Sequence, residues 1–236
     1  MDSGATRIRQ FAAFCVIASA LTGASHASAE WSGHVSLTSE YIYRGLSWSN
    51  GNPALQAGID YEHGGGFFGG LWASSVDLSN NTGRRDIELD YYAGYHFPSE
   101  SALAVSAALV LYTYPDDSGN FDYDYVEALL TASFADNYSL EIGYTDDAYG
   151  FGTSSHHVEL RGNWDTPAGW VVSAGLGSND LGDLAPSSYF YWDVGASARF
   201  SRLTLDLRWF DNESEQGIVA GLGAGSQIVG TLSVAF

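Results

Sequence analysis

Residues 86–97 read DIELDYYAGYHF, and this stretch decides the fold. Its apolar side chains, Ile87 and Leu89 among them, alternate with Glu88 and Asp90. Successive side chains of a β-strand point to opposite faces, so one face of this segment is apolar and the other is acidic. The pattern recurs about every 16 residues from residue 31 to residue 236. It predicts an all-β fold, an antiparallel up-and-down transmembrane β-barrel.

Twelve segments follow this alternation, and most are close to the 9 to 11 residues that a tilted strand needs to cross a bilayer. The predicted strands are 31–44, 53–63, 67–77, 86–97, 102–114, 122–134, 138–146, 156–164, 170–177, 189–200, 203–210 and 227–236. An even number of strands is typical of bacterial outer-membrane barrels. The alternation is weakest in 67–77, so the register of this third strand stays open.

The links between the segments alternate in length. Those after even-numbered strands are short turns, such as 64–66 and 135–137, whereas those after odd-numbered strands are mostly longer and polar, such as 78–85 and 211–226. We expect the short turns on the periplasmic side and the long loops outside. A soluble β-sandwich of immunoglobulin or jelly-roll type is the alternative fold.

Residues 1–29 have the features of a secretory signal peptide. Two arginines precede an apolar run over 11–21, and Ala27-Ser28-Ala29 forms a small-residue cleavage site. A first transmembrane helix is the alternative, but the run is shorter than the roughly 20 residues a span needs. We therefore predict that 1–29 is removed, that 30–236 is a single barrel domain, and that the protein is exported to the outer membrane of a Gram-negative bacterium. The only cysteine, Cys15, lies in the predicted signal, which excludes disulfides and thiol chemistry in the mature chain.

The charge balance limits the partners of the protein. Without 1–29 the chain keeps 7 arginines, no lysine and 27 acidic residues. This excess disfavours nucleic acid, which is bound through basic residues, and favours cations. The expected partners are membrane lipid and lipopolysaccharide, together with small solutes or cations, and the oligomeric state stays open. The 14% aromatic and 45% hydrophobic content argues against an acidic disordered chain.

The cost of exposing charge to lipid fixes which face of each strand points inward. Arg161 near the bilayer midplane would cost roughly 2–4 kcal/mol if it faced lipid, so its face of the strand must line the lumen. The same argument assigns eleven acidic residues and four arginines to the lumen. The predicted pore-lining residues are Glu40, Arg44, Asp60, Glu62, Asp86, Glu88, Asp90, Glu127, Glu141, Glu159, Arg161, Asp193, Arg199, Asp206 and Arg208.

Several segments resemble a known family. The runs YIYRGLS (41–47), GFF (66–68) and DYYAGY (90–95) look like those of the TorF-type porin family of proteobacterial outer membranes. The resemblance covers the mature chain and implies a porin-like barrel. It implies no established substrate, because the family is defined largely by sequence. Where the family often has Gln, this chain has Trp48.

Barrel dimensions and charge together suggest a function. Twelve strands about 4.8 Å apart and tilted about 40° close at a backbone radius of roughly 12 Å, so the lumen is narrow or partly closed. A lumen rich in Asp and Glu would favour cations, and we predict a channel for passive diffusion of small solutes. A plugged barrel with a structural or adhesive role is the alternative, since arginine–carboxylate pairs can hold a lumen shut. Arg44 is expected to form a constriction or anchor a loop, or else to pair with Glu40.

A lipid-modifying enzyme with a Ser–His site at the rim is a second alternative. The candidates are His156 and His157 with Ser154 and Ser155, and a pair formed by His34 and Ser36. Neither pair lies in a G-x-S-x-G context, so the sequence predicts no enzyme. Acidic loops, such as that at 146–147, offer oxygen ligands but lack the spacing of a calcium loop. We expect no cofactor and no dedicated metal site, and whether these loops bind divalent cations stays open.

Overall fold

Twelve antiparallel strands close into one barrel in the computed structural model, which describes residues 29–77, 86–115, 122–212 and 225–236. The wall strands are β1 (Ala29–Thr38), β4 (Ala54–His63), β5 (Phe67–Val76), β6 (Asp86–Phe97), β7 (Leu103–Thr113), β8 (Tyr125–Phe134), β9 (Tyr138–Thr145), β10 (Ser155–Asp165), β11 (Trp170–Asp180), β12 (Tyr189–Phe200), β13 (Leu203–Asn212) and β14 (Gln227–Ala235). Two short strands, β2 (Ile42–Tyr43) and β3 (Leu46–Ser47), pair with each other in the link between β1 and β4.

Every wall strand pairs with its neighbours in the chain, and β1 closes the ring against β14. Thr38 lies opposite Thr231 of β14 on one side and opposite Ala54 of β4 on the other. Closure leaves none of the described wall strands at an open edge, a requirement for any sheet that crosses hydrocarbon. The predicted all-β class, antiparallel order and count of twelve are confirmed. Two 3-10 turns, Ala148–Gly150 and Gly182–Leu184, lie in the long links.

Among the described residues, no helix has both the length and the apolar character to span a membrane. The predicted signal peptide, apart from Ala29, lies outside the described residues. So do the predicted outer loop 78–85 and most of the loop 211–226.

The outer wall of the barrel is apolar. Leu160 is 53% exposed and Leu207 is 61% exposed on the outer face, while Arg161, next to Leu160 in the chain, lies on the lumen side. Large apolar side chains left uncovered to this extent indicate a surface that is solvated by lipid and not by water. Aromatic residues such as Trp170 and Phe200 at the short-turn end, and Trp209 at the long-loop end, form the girdles expected at membrane interfaces.

The filling of the lumen changes along the barrel. Several inward side chains near the short turns are small and half-exposed, as at Ser32, Ser133 and Ser197, although Phe68 at the same end is buried. Tyr112 and Tyr189 near the long loops are buried.

The first predicted strand, 31–44, was too long. The barrel strand β1 ends at Thr38, and residues 39–53 turn inward and form a hairpin inside the barrel. We call 39–53 the inner hairpin. Arg44 and Gly45 have positive φ angles of 48° and 78°, which form the tight reversal between β2 and β3. Alternation alone could not place this break, because the residues beyond Thr38 still alternate.

Candidate functional site

The tip of the inner hairpin is fixed to the opposite wall by an ion pair. The guanidinium of Arg44 donates two hydrogen bonds to the carboxylate of Glu127 on β8, at 2.9 and 2.7 Å. The side chains are only 7% and 1% exposed. Burial opposes the charge of Arg44, but the Glu127 carboxylate more than offsets this and raises the arginine pKa. A bidentate pair shielded from water is among the stronger polar contacts a protein can make.

Three further contacts hold the tip, and each comes from a different wall strand. The Tyr189 hydroxyl donates to the backbone oxygen of Arg44 at 3.0 Å, and Asn212 Nδ2 donates to the oxygen of Gly45 at 2.5 Å. The hydroxyls of Tyr43 and Tyr112 are 2.9 Å apart. A Cβ atom added at Gly45 would lie 2.6 Å from the Cβ atom of Tyr191, so both space and backbone angle require glycine here. Strands β7, β8, β12 and β13 therefore all bind the tip.

The base of the hairpin is held by Glu40. Its Oε1 atom accepts hydrogen bonds from the Ser47 hydroxyl at 2.5 Å and from the Gly51 amide at 3.1 Å. The alternative in which Glu40 pairs with Arg44 is wrong, because the left-handed turn at Arg44 carries the guanidinium across the lumen. We predicted Glu40 within strand one. It lies instead in the inner hairpin, where it stabilises the loop that enters the barrel.

Aromatic rings fill the space around the hairpin. Trp48 stacks on Tyr114 with ring centroids 6.0 Å apart and contacts Tyr149 of the link between β9 and β10 at 5.5 Å. On the other side of the hairpin, Tyr41 packs edge-on against Trp72 at 5.4 Å. Burial raises the pKa of the Tyr149 phenol well above its usual value. Trp48 therefore has a packing role, consistent with its departure from the Gln of the TorF-type pattern.

A buried histidine on the wall, His157, connects the Arg44–Glu127 pair to a second carboxylate. His157 Nδ1 lies 3.3 Å from Glu127, and its Nε2 lies 3.3 Å from Glu141. Thr131 donates to the second oxygen of Glu141 at 3.2 Å. The sequence placed His157 at an outer rim beside Ser155, but its side chain lies in the lumen with 1% exposure.

Neither candidate Ser–His pair forms a hydrogen bond in the described strands. The Ser155 hydroxyl donates to the backbone oxygen of Asp180 at 2.7 Å. Ser36 bonds the Ser233 hydroxyl at 2.8 Å, and His34 packs over Gly58. The hydroxyls of Ser155 and Ser36 therefore bond groups other than the neighbouring histidines.

A second ion-pair network lines β10, β12 and β13. Arg161 donates to Asp193 at 3.0 and 2.7 Å and to Glu159 at 3.1 Å. Arg208 also bonds Asp193 and reaches Asp206 at 3.1 Å. Two guanidinium groups thus share three carboxylates, and the charge on this side of the lumen is largely compensated. The fourth predicted arginine, Arg199, is exposed at the short-turn end of β12, where its Nε atom donates to the oxygen of Ser201.

The opposite side of the lumen is acidic. Strands β4 and β6 point five carboxylates inward, and β4–β7 contain no arginine. The acidic residues on this wall are Asp60, Glu62, Asp86, Glu88 and Asp90. Tyrosines donate to two of them: Tyr92 to Asp60, and Tyr114 to Glu88 at 2.8 Å. Glu62 lies 3.5 Å from His96. A hydroxyl donor stabilises a carboxylate but carries no charge of its own.

A small cavity of about 30 Å³ lies between the inner hairpin and the wall. Asp90 of the acidic wall lines it on one side and Asp206 and Arg208 line it on another, with Tyr41 and Tyr43 of the hairpin between. The sequence assigned these charged groups to the lumen but missed the tyrosines and the cavity. Tyrosines at inward positions of the strands do alternate with lipid-facing residues, so the sequence contained a signal for an aromatic lumen. We interpreted the aromatic residues as membrane girdles instead.

Comparison with known proteins identifies the family. Residues 22–234 match Gcw_chp, a family of bacterial proteins of unknown function. The chain belongs to the Gcw_chp family. No curated protein matches this Gcw_chp chain. The narrower TorF-type assignment stays a prediction.

Solved structures resemble this Gcw_chp barrel at low sequence identity. A structure from "Unveiling the Mechanism Behind the in-meso Crystallization of Membrane Proteins" has a TM-score of 0.54 at 11% identity, over 87% of this chain and 83% of the other. An outer membrane channel from Pseudomonas putida F1 has a TM-score of 0.49 at 13% identity, over 90% and 96%. Salmonella typhi OmpF in complex with daunomycin has 0.47 at 10% identity, over 89% and 98%. At these identities the likeness concerns the fold alone.

Proposed function

We propose that this Gcw_chp protein is an outer-membrane channel through which small solutes diffuse passively, with a preference for cations. One observation carries the proposal. A small cavity lies beside the inner hairpin, the described strands β4–β7 carry five inward carboxylates and no arginine, and Arg161 and Arg208 opposite are already bound to carboxylates. The hairpin is then the constriction of the channel.

Membrane location follows from the outer surface. A closed ring of strands with an apolar exterior, flanked by aromatic residues, is stable where hydrocarbon surrounds it. The signal peptide predicted over 1–29 would direct the chain out of the cytoplasm, and the periplasmic side would then be the short-turn end. Lipid and lipopolysaccharide are the corresponding partners of the outer wall.

Cation preference follows from the distribution of charge. Carboxylates that line a narrow passage with low-dielectric walls raise the local concentration of cations. Arg161 and Arg208 cannot offset the acidic wall, since their guanidinium groups already contact Glu159, Asp193 and Asp206. The field across the cavity therefore attracts cations toward β4 and β6.

The test is conductance of the purified mature protein in planar bilayers with a tenfold KCl gradient. We expect single-channel steps and a reversal potential of the sign given by K⁺ permeation. The double substitution Asp60→Asn with Glu62→Gln, on the acidic wall, should lower the cation preference. Asp136→Asn removes a charge from the short turn between β8 and β9 and is the control. A preference for chloride would contradict the proposal.

A plugged structural barrel is the second candidate, and the four wall strands that bind the hairpin tip favour it. This candidate predicts no steps from the native protein. It also predicts steps after Arg44→Ala, which would free the hairpin, but not after Arg202→Ala in an exposed turn. Steps from the native protein would eliminate it.

A further inference from the structure

Two basic side chains meet on one oxygen of Glu127. The Nη1 atom of Arg44 donates to Glu127 Oε1 at 2.9 Å, and the Nδ1 atom of His157 lies 3.3 Å from the same oxygen. The exposed fractions of the three side chains are 7% for Arg44 and 1% for each of the others. Charges shielded from water in this way interact strongly, so the charge of His157 affects how firmly Arg44 is held.

His157 lies between two carboxylates. Its Nε2 atom is 3.3 Å from Oε1 of Glu141, while Nδ1 faces Glu127. A neutral imidazole has one N–H group and one lone pair, so it can donate to only one of these carboxylates, whereas an imidazolium can donate to both. The ring lies over Gly143 of β9, where an added Cβ atom would collide with the Cε1 atom of His157. The wall therefore provides both the space and the acceptors for a protonated histidine.

Arg44 already occupies the carboxylate that Nδ1 faces. Nδ1 has no hydrogen bond among the described residues, although it is close to Oε1 of Glu127. Arg44 donates to both oxygens of Glu127, and the Tyr112 hydroxyl donates to Oε2 at 3.1 Å. A protonated His157 therefore competes with the guanidinium for the same carboxylate.

We propose that a proton bound by His157 weakens the attachment of the inner hairpin, so that acid releases the tip. While His157 is neutral, Arg44 is the one cation that contacts Glu127 in the described part of the chain. When His157 is protonated, its charge repels Arg44 and still compensates Glu127 after Arg44 has left. Proton binding and attachment of the tip therefore oppose each other, and the attached state is favoured at high pH and lost as the pH falls.

Among the described groups that are bonded to or paired with Glu127, only His157 changes its charge between pH 5 and pH 8. The guanidinium of Arg44 stays charged and the phenol of Tyr112 stays neutral over this range. The other polar and charged groups around His157 are Glu141 on β9, Asn179 on β11 with its partner Tyr189, and Glu159 on β10 with its partners Arg161 and Tyr191.

A second acid–base group contacts the hairpin at another place. Glu88 on β6 accepts a hydrogen bond from the Tyr41 hydroxyl at the base of the hairpin, and a carboxylate can also take up a proton. This contact does not involve Arg44. Substitutions at His157 and Arg44 therefore separate the two responses.

The test is the extent to which the hairpin opens at pH 5 and at pH 8, measured on the whole mature protein in lipid vesicles. Ser47→Cys places a thiol in the hairpin at a position that is 1% exposed, and its reaction with a maleimide reports opening. The reactivity of any thiol depends on pH. Each rate is therefore divided by that of Ser101→Cys, a thiol in an exposed turn, at the same pH.

We expect the normalised rate to be about tenfold higher at pH 5 than at pH 8, in line with the repulsion between two like charges held a few ångströms apart. His157→Gln keeps a polar side chain without the charge and should reduce this factor to below about threefold. His156→Gln changes the neighbouring, exposed histidine and should leave the factor intact. If His157→Gln does not fold, Arg44→Met gives the same test, since it removes the guanidinium with which the imidazolium competes.

Two results would overturn the proposal. One is a normalised rate that is equal at the two pH values or lower at pH 5, and the other is an acid response that His157→Gln or Arg44→Met leaves intact. The proposal rests on the proposed channel only for its consequence, which is a wider constriction in acid. Channel steps without an acid response of labelling would refute the switch and retain the channel. An acid response without steps at either pH would retain the switch and refute the channel.

Discussion

Replacing Arg44 by Met should release the tip of the inner hairpin. The substitution keeps a long apolar side chain but removes both hydrogen bonds to Glu127, at 2.9 and 2.7 Å. Losing one partner of a buried pair costs about 3–5 kcal/mol. We take the lower end, about 3 kcal/mol, because Glu127 keeps Tyr112 at 3.1 Å and His157 at 3.3 Å as partners.

The assay is the rate at which a cysteine in the hairpin reacts with a maleimide. The predicted mature chain contains no cysteine, so Ser47→Cys introduces a unique thiol at a position that is 1% exposed. If reaction requires the hairpin to open, lowering the free energy of opening by about 3 kcal/mol speeds labelling roughly a hundredfold. Arg202→Met, in the exposed turn before β13, is the matched control and should leave the rate unchanged.

A second substitution separates the ion pair from hairpin packing. In the Arg44→Met protein, the Glu127 carboxylate stays buried without its guanidinium partner. Adding Glu127→Met removes this carboxylate, so the double variant should react more slowly with maleimide than the Arg44→Met variant. If Arg44→Met changes the rate less than about threefold, the ion pair does not hold the hairpin, and the aromatic contacts of Trp48 and Tyr41 do.

Two further predictions concern the wall. Leu160→Arg places a guanidinium on the lipid face next to Arg161 and should lower the free energy of unfolding by about 2–4 kcal/mol, measured by urea titration in lipid vesicles; an unchanged value would mean that this face does not meet hydrocarbon. Gly70→Ala puts a Cβ atom 2.5 Å from the backbone oxygen of Ile59 and against the Tyr92 hydroxyl, so we expect a loss of about 1–3 kcal/mol in the same assay. Gly230→Ala, which has no atom within 4 Å of the added carbon and no positive φ, is its control.

The strands could be predicted because their signal is local. Leu160 and Arg161 are adjacent in the sequence, and alternation places the first in lipid and the second in the lumen. The short turns mark where one strand ends and the next begins. Eleven of the twelve predicted strands lie within about three residues of the observed bounds at each end. The first strand is the exception, since 39–44 alternates like a wall strand although it lies inside the barrel.

The partners within the lumen could not be predicted in this way. Arg44 and Glu127 are 83 residues apart, and nothing in either local pattern distinguishes Glu127 from the ten other acids assigned to the lumen. Glu40, four residues before Arg44, looked equally suitable. The left-handed turn at Arg44 and the curvature of the closed ring together decide which carboxylate the guanidinium reaches.

The amino-acid sequence by itself determined a ring of twelve strands, which face of each strand contacts lipid, and the acidic excess inside. The reason is that every second side chain of a strand must be apolar where it contacts hydrocarbon. The tertiary structure alone decided that a hairpin occupies the lumen, that the arginines are paired on one side, and that a small cavity with a partly aromatic lining remains beside the hairpin. These features depend on side chains meeting across a closed barrel, and distances across a barrel are set by its closure.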